Sequence, residues 1–225
     1  MVFGAMKKIG DDITPMDVVV GVGKAVMAHL PGANFFIEAV DAIKGNVLQR
    51  RFDRWQELVN KRLETLEGTV RNNLGDNESF ATTLIKATEL ASQTNDIKVE
   101  YLANAVEYTA SHPIQEDDLI ILLNQIPRYT ISHFKVLLYF QNPSAYNTKR
   151  ENLLAGSPLH YFYNRYPDFD KSRATRVMNE LFRDGLITTN SEGTASVSGI
   201  NAKKTSELGD LFISFFGIKE SDYQG

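Results

Sequence analysis

The chain of 225 residues contains no cysteine. That excludes a disulfide framework, a thiolate zinc site and a cysteine nucleophile. Histidine is scarce as well. His29, His112, His133 and His160 never stand three or four residues apart, so no local metal site is predicted. No long hydrophobic run survives inspection. The most apolar region, residues 16–43, is broken by Lys24, His29, Pro31, Glu38 and Asp41. A spanning helix needs ~20 nearly uninterrupted apolar residues. No integral membrane span is expected there, although an amphipathic stretch of this kind can lie on a membrane surface. At the N-terminus, Asp11 and Asp12 precede any apolar run, so MVFGAMKKIGDDITP lacks the pattern of a secretory signal and a cytoplasmic location is expected. The formal net charge of −4 excludes a generally basic nucleic-acid coat.

Catalytic signatures are equally thin. VVVGVGKAV has the look of a phosphate loop, but Val18 stands where its first glycine belongs and Ala25 replaces the hydroxyl residue. Val26 occupies the third glycine position of a dinucleotide loop. Gly21 and Gly23 instead permit close helix packing. Carboxylates are plentiful, but no spacing places two on one buried helix face. Glu116, Asp117 and Asp118 open a helix, where three acids suit the positive end of its dipole. The expectation is a protein without catalytic residues, metal or cofactor.

What is present is core-forming material. Hydrophobic residues make up 43% of the chain and charged residues 23%, enough to bury a core. At ~150 residues per domain the length allows one large or two small domains. Thr14-Pro15 reads as an N-cap and first helical residue, with Pro31-Gly32 ending that helix near Leu30. A long helix is predicted from about Asn34. Phe52, Trp55, Val59, Leu63, Leu66 and Val70 form one stripe along it at helical spacing. Asn72 to Asn77 is turn chemistry. Helices are predicted next over about 78–92, with Phe80, Leu84, Ile85, Ala87, Leu90 and Ala91 facing inward, and through Ile97 to Val106. DLIILLNQI follows as a short apolar helix. The fold class expected is mainly α. Residues 1–130 read as an all-α helical bundle, built on a long helix and serving oligomerisation or docking.

Residues 131–225 differ. ISHFKVLLYF is a helix with Phe134, Val136, Leu137 and Phe140 inward. Ser157-Pro158 opens the aromatic helix LHYFYNRY, closed by Pro167. Asp170 is placed as N-cap of KSRATRVMNELFRDG, whose Ala174, Val177, Met178 and Leu181 repeat at helical spacing. Gly185 stands at the left-handed C′ position. A short strand at 186–188, a turn at 190–193 and a return at 195–198 are predicted as a β-hairpin. TSELGDLFISFF closes the chain as a helix. Tyr161, Phe162, Tyr163 and Tyr166 with Arg165 are a platform on which single-stranded bases can stack. They also suit the inside of a packed helix, and that is the reading preferred.

The order helix, helix, helix, hairpin, helix resembles a winged helix-turn-helix domain. RVMNELFRDGLI followed by a polar hairpin is similar to the recognition helix and wing of bacterial regulators of the MarR type. The resemblance covers the 95 residues from 131 to 225. It implies that the third of these helices enters the major groove of duplex DNA while the hairpin touches the backbone or minor groove. With the apolar set inward, Lys171, Ser172, Thr175, Arg176, Asn179 and Arg183 point outward, and Arg173 near the helix start reaches toward phosphate. Arg bridges guanine and Asn bridges adenine, so Arg176 and Asn179 are the candidate base readers. Lys171, Arg173 and Arg183 supply counterion release. Residues 1–130 hold 13 basic and 18 acidic groups, and residues 131–225 hold 11 and 10. The small basic excess lies on the side that the resemblance requires. The function expected is that of a bacterial or phage-type, transcription-regulator-like protein that binds DNA. The alternatives are a winged helix that docks partners in an oligomeric accessory or phage-defence protein, and membrane-surface association through residues 16–43.

Overall fold

The computed structural model describes residues 46–67, 70, 74–94, 96–147 and 155–223. The predicted helix at 15–30, the start of the long helix, the apolar region 16–43 with Gly21 and Gly23, and the turn at Asn72-Asn73 lie outside them. The chain is mainly helical and divides into two compact units, residues 1–116 and 117–225. The division falls after the first residue of the helix that carries DLIILLNQI, and the rest of that helix lies in the second unit.

In the first unit, α1 covers Asn46–Glu64. Its stripe of Trp55, Val59 and Leu63 is buried. The helix ends sooner than the stripe does. Thr65 and Leu66 donate to the carbonyls of Arg62 and Leu63, a tighter three-residue turn, and the Thr65 hydroxyl donates to the same Arg62 carbonyl at 2.7 Å. Leu66 and Val70 therefore lie beyond α1 and are only half-buried. The second helix, α2, covers Glu78–Gln93 and the third, α3, Asp96–Ser111. Asn77 caps α2: its side-chain oxygen accepts the Phe80 N–H at 2.9 Å, and its amide donates to the Thr109 carbonyl of α3 at 2.9 Å. One residue so fixes a helix start and an interhelical contact. The Trp55 indole N–H donates to the buried Thr88 hydroxyl at 3.2 Å, tying α1 to α2. Arg54 and Arg62 pair with Glu100 and Glu107 of α3. Ile85, expected inside, is 42% exposed. It follows Leu84 by one residue, a rotation of about 100° that carries it off the face shared by Phe80, Leu84, Ala87 and Ala91.

The second unit begins with α4, Glu116–Gln125, and α5, Ile131–Gln141. A single turn, α6, follows at Pro143–Tyr146. Pro158–Arg165 forms α7, Lys171–Arg183 forms α8, and Glu207–Phe216 forms α10. Phe134, Leu137, Phe140, Phe162, Val177, Met178, Leu181, Phe212 and Phe216 are completely buried. Phe162 lies edge-on to Tyr139 and Phe169 at centroid separations of 5.4 and 5.1 Å. The aromatic set of α7 is thus packing material: Tyr161 and Phe162 are buried, and Tyr163 donates from its hydroxyl to the Lys171 carbonyl.

The end of α8 follows the sequence expectation. Gly185 takes φ +77°. Its N–H donates to Phe182 and that of Leu186 to Leu181, closing the paired bonds of a Schellman turn.

The predicted β-hairpin does not form. Ile187 bridges to Thr205, and Ala195 bridges to Gly156, which precedes α7. Residues 197–200 are instead a helical turn, α9, capped by the Ser196 hydroxyl on the Gly199 N–H. Buried Lys204 explains why the pairing moves. Its ammonium donates to the carbonyls of Gly199, Ile200 and Ala202, and so holds the end of α9 against residue 204. The Thr188 N–H then meets the Lys204 carbonyl at 2.8 Å, and the Ser206 N–H meets the Leu186 carbonyl at 3.0 Å. What the sequence places as a tight hairpin is a long loop with a two-bond base.

Candidate nucleic-acid interface

The α8 helix is the most sharply two-sided element of the second unit. Ala174, Val177, Met178 and Leu181 are completely buried. Lys171, Ser172, Arg173, Thr175, Arg176, Asn179 and Arg183 are all exposed, and the side chains of Arg176 and Arg183 each keep 70% of their surface. The structure places every predicted site residue on the solvent side of one helix.

The acids of the same helix behave differently. Asp170 caps the N-terminus, accepting the Arg173 N–H at 2.7 Å. Asp184 accepts the Tyr129 hydroxyl at 2.8 Å and pairs with Arg128 at 3.2 Å, and its side chain is 12% exposed. Glu180 accepts from His133 Nε2 at 2.7 Å, while its other oxygen lies 3.9 Å from Arg176 Nε. In sequence these acids alternate with the basic residues and dilute them. In the fold Glu180 and Asp184 bond inward to His133, Tyr129 and Arg128 while lying 3.9 Å from Arg176 and Arg183, and Asp170 stays exposed as the helix cap.

His133 holds this inner network. It is 5% exposed, with its ring stacked on Tyr129 at 4.7 Å. The Thr130 N–H donates to Nδ1 at 3.0 Å, so Nδ1 accepts and Nε2 carries the proton given to Glu180. Burial lowers the pKa of His133, and the hydrogen bond and charge of Glu180 oppose that shift without overcoming it. Burial, followed by the bond to Asp184, pushes the Tyr129 hydroxyl well above its usual range, so it stays a donor. The sequence reading missed His133, Tyr129 and Arg128. The available signal was Thr130-x-x-His133, a hydroxyl residue followed by a ring nitrogen at the third helical position.

A pH dependence follows. A histidine whose folded pKa lies below 6.5 is protonated first in the unfolded chain. Its contribution to stability is full above 6.5 and is lost as pH falls through the lowered folded value. Thermal unfolding followed from neutral to acid pH is expected to show a steeper loss of Tm in the native chain than in His133→Gln. Parallel curves would refute it.

The remaining part of the face is the turn at 190–193. The Gly193 N–H closes on the Asn190 carbonyl at 3.1 Å. The Ser191 N–H donates to the side-chain oxygen of Asn179 at 3.0 Å. Among the described residues, no three His, Asp or Glu side chains converge as a metal site, and no helix is long and apolar enough to cross a membrane. Compared with family models, with known proteins and with solved structures, the chain finds no match in any of the three.

Proposed function

We propose that residues 131–225 are a non-enzymatic, winged-helix-type module that binds duplex DNA through the outer face of α8. One observation carries this reading: the basic and polar residues of α8 face solvent while Asp170, Glu180 and Asp184 are engaged by the protein itself. The second unit, residues 117–225, holds 12 basic and 12 acidic residues. Its affinity for phosphate therefore comes from segregation of charge, not from excess. Lys171, Arg173, Arg176 and Arg183 lie along about three turns of one helix, the length that a major groove admits. The order of the longer helices α5, α7, α8 and α10 supports the resemblance, while a loop with the helical turn α9 stands where a winged helix has its hairpin, and α6 is an added turn.

The test is fluorescence anisotropy of a labelled genomic duplex library at low salt. Binding is expected, with log K falling against log salt at a slope of about −3 to −4, since each phosphate neutralised contributes ~0.9. No binding at the lowest salt at which the protein is soluble would overturn the reading.

A second reading, protein docking, has one observation in its favour. Phe182 in the last turn of α8 is 43% exposed, and Ile120, Ile121 and Ile131 of the same unit are exposed to a similar degree. Light scattering that finds a stable dimer or co-purifying protein, together with no DNA binding, would support this reading over the first.

A further inference from the structure

Asn179 lies in the middle of the exposed face of α8 and was a candidate adenine reader. Its geometry argues for another task. A bidentate adenine contact requires the side-chain oxygen to accept from the base and the amide to donate to it. In this fold one of the two lone pairs of that oxygen is taken by the Ser191 N–H at 3.0 Å, which holds the side chain toward the turn at 190–193. That bond joins α8 to the turn at 190–193. The turn is closed and self-packed: the Gly193 N–H meets the Asn190 carbonyl, and a Cβ on Gly193 would come within 2.4 Å of the Thr189 hydroxyl. Its chain neighbours are held elsewhere. Thr188 is bonded to Lys204 and Ala195 to Gly156, so the turn stands out from its base as a tethered finger.

We propose that Asn179 is a positioning residue, whose side-chain oxygen fastens the 190–193 turn to the outer face of α8 so that helix and turn present one continuous surface to duplex DNA. The proposal rests on the DNA-binding reading above. Because the turn is fastened at Asn179, base reading falls to the N-terminal part of the face, to Arg176 with Thr175 and Ser172. Arg183, on the far side of the fastening, meets the sugar–phosphate backbone. Asn179 gives affinity without sequence discrimination. A turn fixed before binding costs less to order on the duplex than a free one.

The experiment compares the full chain with Asn179→Ala and Asn179→Asp. Amide hydrogen exchange is read at Ser191 without DNA, and anisotropy is then read on a preferred duplex and on scrambled duplexes. Exchange at Ser191 is expected to accelerate about 5- to 10-fold in Asn179→Ala, the loss of one exposed hydrogen bond of about 1 kcal/mol. Asn179→Asp keeps the acceptor and is expected to retain the protection. Affinity of Asn179→Ala should fall by a similar factor on preferred and scrambled duplexes alike. Unchanged exchange at Ser191 in Asn179→Ala would overturn the proposal, whether or not DNA binds. So would an affinity loss confined to the preferred sequence, which is the behaviour of a base reader. If no duplex binds any variant, the DNA-binding reading and the shared surface fall together. The exchange rates still report separately whether Asn179 fastens the turn.

Discussion

Gly209→Ala is expected to unfold the second unit at a temperature lower by on the order of 10 °C, a loss of about 3 kcal/mol. Gly209 lies in the first turn of α10, one turn after Ser206. The Ser206 N–H donates to the Leu186 carbonyl at 3.0 Å, and the Ser206 hydroxyl caps the helix on the Gly209 N–H at 3.0 Å. These bonds bring the Leu186 carbonyl directly against the helix backbone. A Cβ on Gly209 would lie 2.1 Å from that carbonyl oxygen. The obstacle is main chain, so no rotamer relieves it. Either α10 lifts, loosening Phe212 and Phe216 in the core, or the base of the 188–204 loop opens. Gly156→Ala is the control. An added methyl there meets nothing within 4 Å, and a change within about 0.5 kcal/mol is expected. The two units can be followed apart, because the single tryptophan, Trp55, belongs to the first. Near-ultraviolet dichroism of the tyrosines, several of which belong to the second unit, should shift in Gly209→Ala while Trp55 emission follows its original transition. Coincident, unshifted transitions would show that the close approach is not tight.

The second large effect is on binding. Replacing Lys171, Arg173, Arg176 and Arg183 together by glutamine is expected to weaken duplex binding about 100- to 1,000-fold at low salt. The salt slope should move about 3 to 4 units toward zero. Arg176→Ala alone should account for about 10- to 100-fold and should also flatten the preference among duplexes, as loss of a bidentate base contact does. These side chains are exposed, and the ion pair of Arg176 with Glu180 is long at 3.9 Å, so Tm should barely change. That separates a binding defect from a folding defect. An unchanged salt slope in the fourfold variant would place the contact surface elsewhere.

Within the second unit, the helices were legible because their determinants are local. Asp170 caps α8, the spacing of Ala174, Val177, Met178 and Leu181 sets its buried face, and Gly185 ends it with a positive φ. Each depends on neighbours within one or two turns. The outward set of Lys171, Ser172, Arg173, Thr175, Arg176, Asn179 and Arg183 follows from the same period. Partners remote in sequence were not legible in this way. The segment after α8 has strand-like residues and a turn, but the partner of Ile187 is Thr205, not the returning arm at 195–198. That choice depends on Ser196 capping a helical turn and on Lys204 reaching back to its carbonyls. Ile85 in the first unit is a different case: residue type suggested burial, but its step of about 100° from Leu84 takes it off the face of Phe80, Leu84, Ala87 and Ala91, so the local period already argued against it.

Local chain chemistry thus determined which stretches of this protein coil and which side of α8 looks outward, since capping, periodicity and a left-handed glycine act over a few residues. Tertiary structure alone decided what that outward side contains. Glu180 and Asp184 are drawn inward by His133, Tyr129 and Arg128, groups about fifty residues away. Asn179 could acquire its task only when the 190–193 turn folded back upon it. A charge pattern along a helix is written in the sequence, whereas the electrostatic face it presents depends on which charges other elements neutralise.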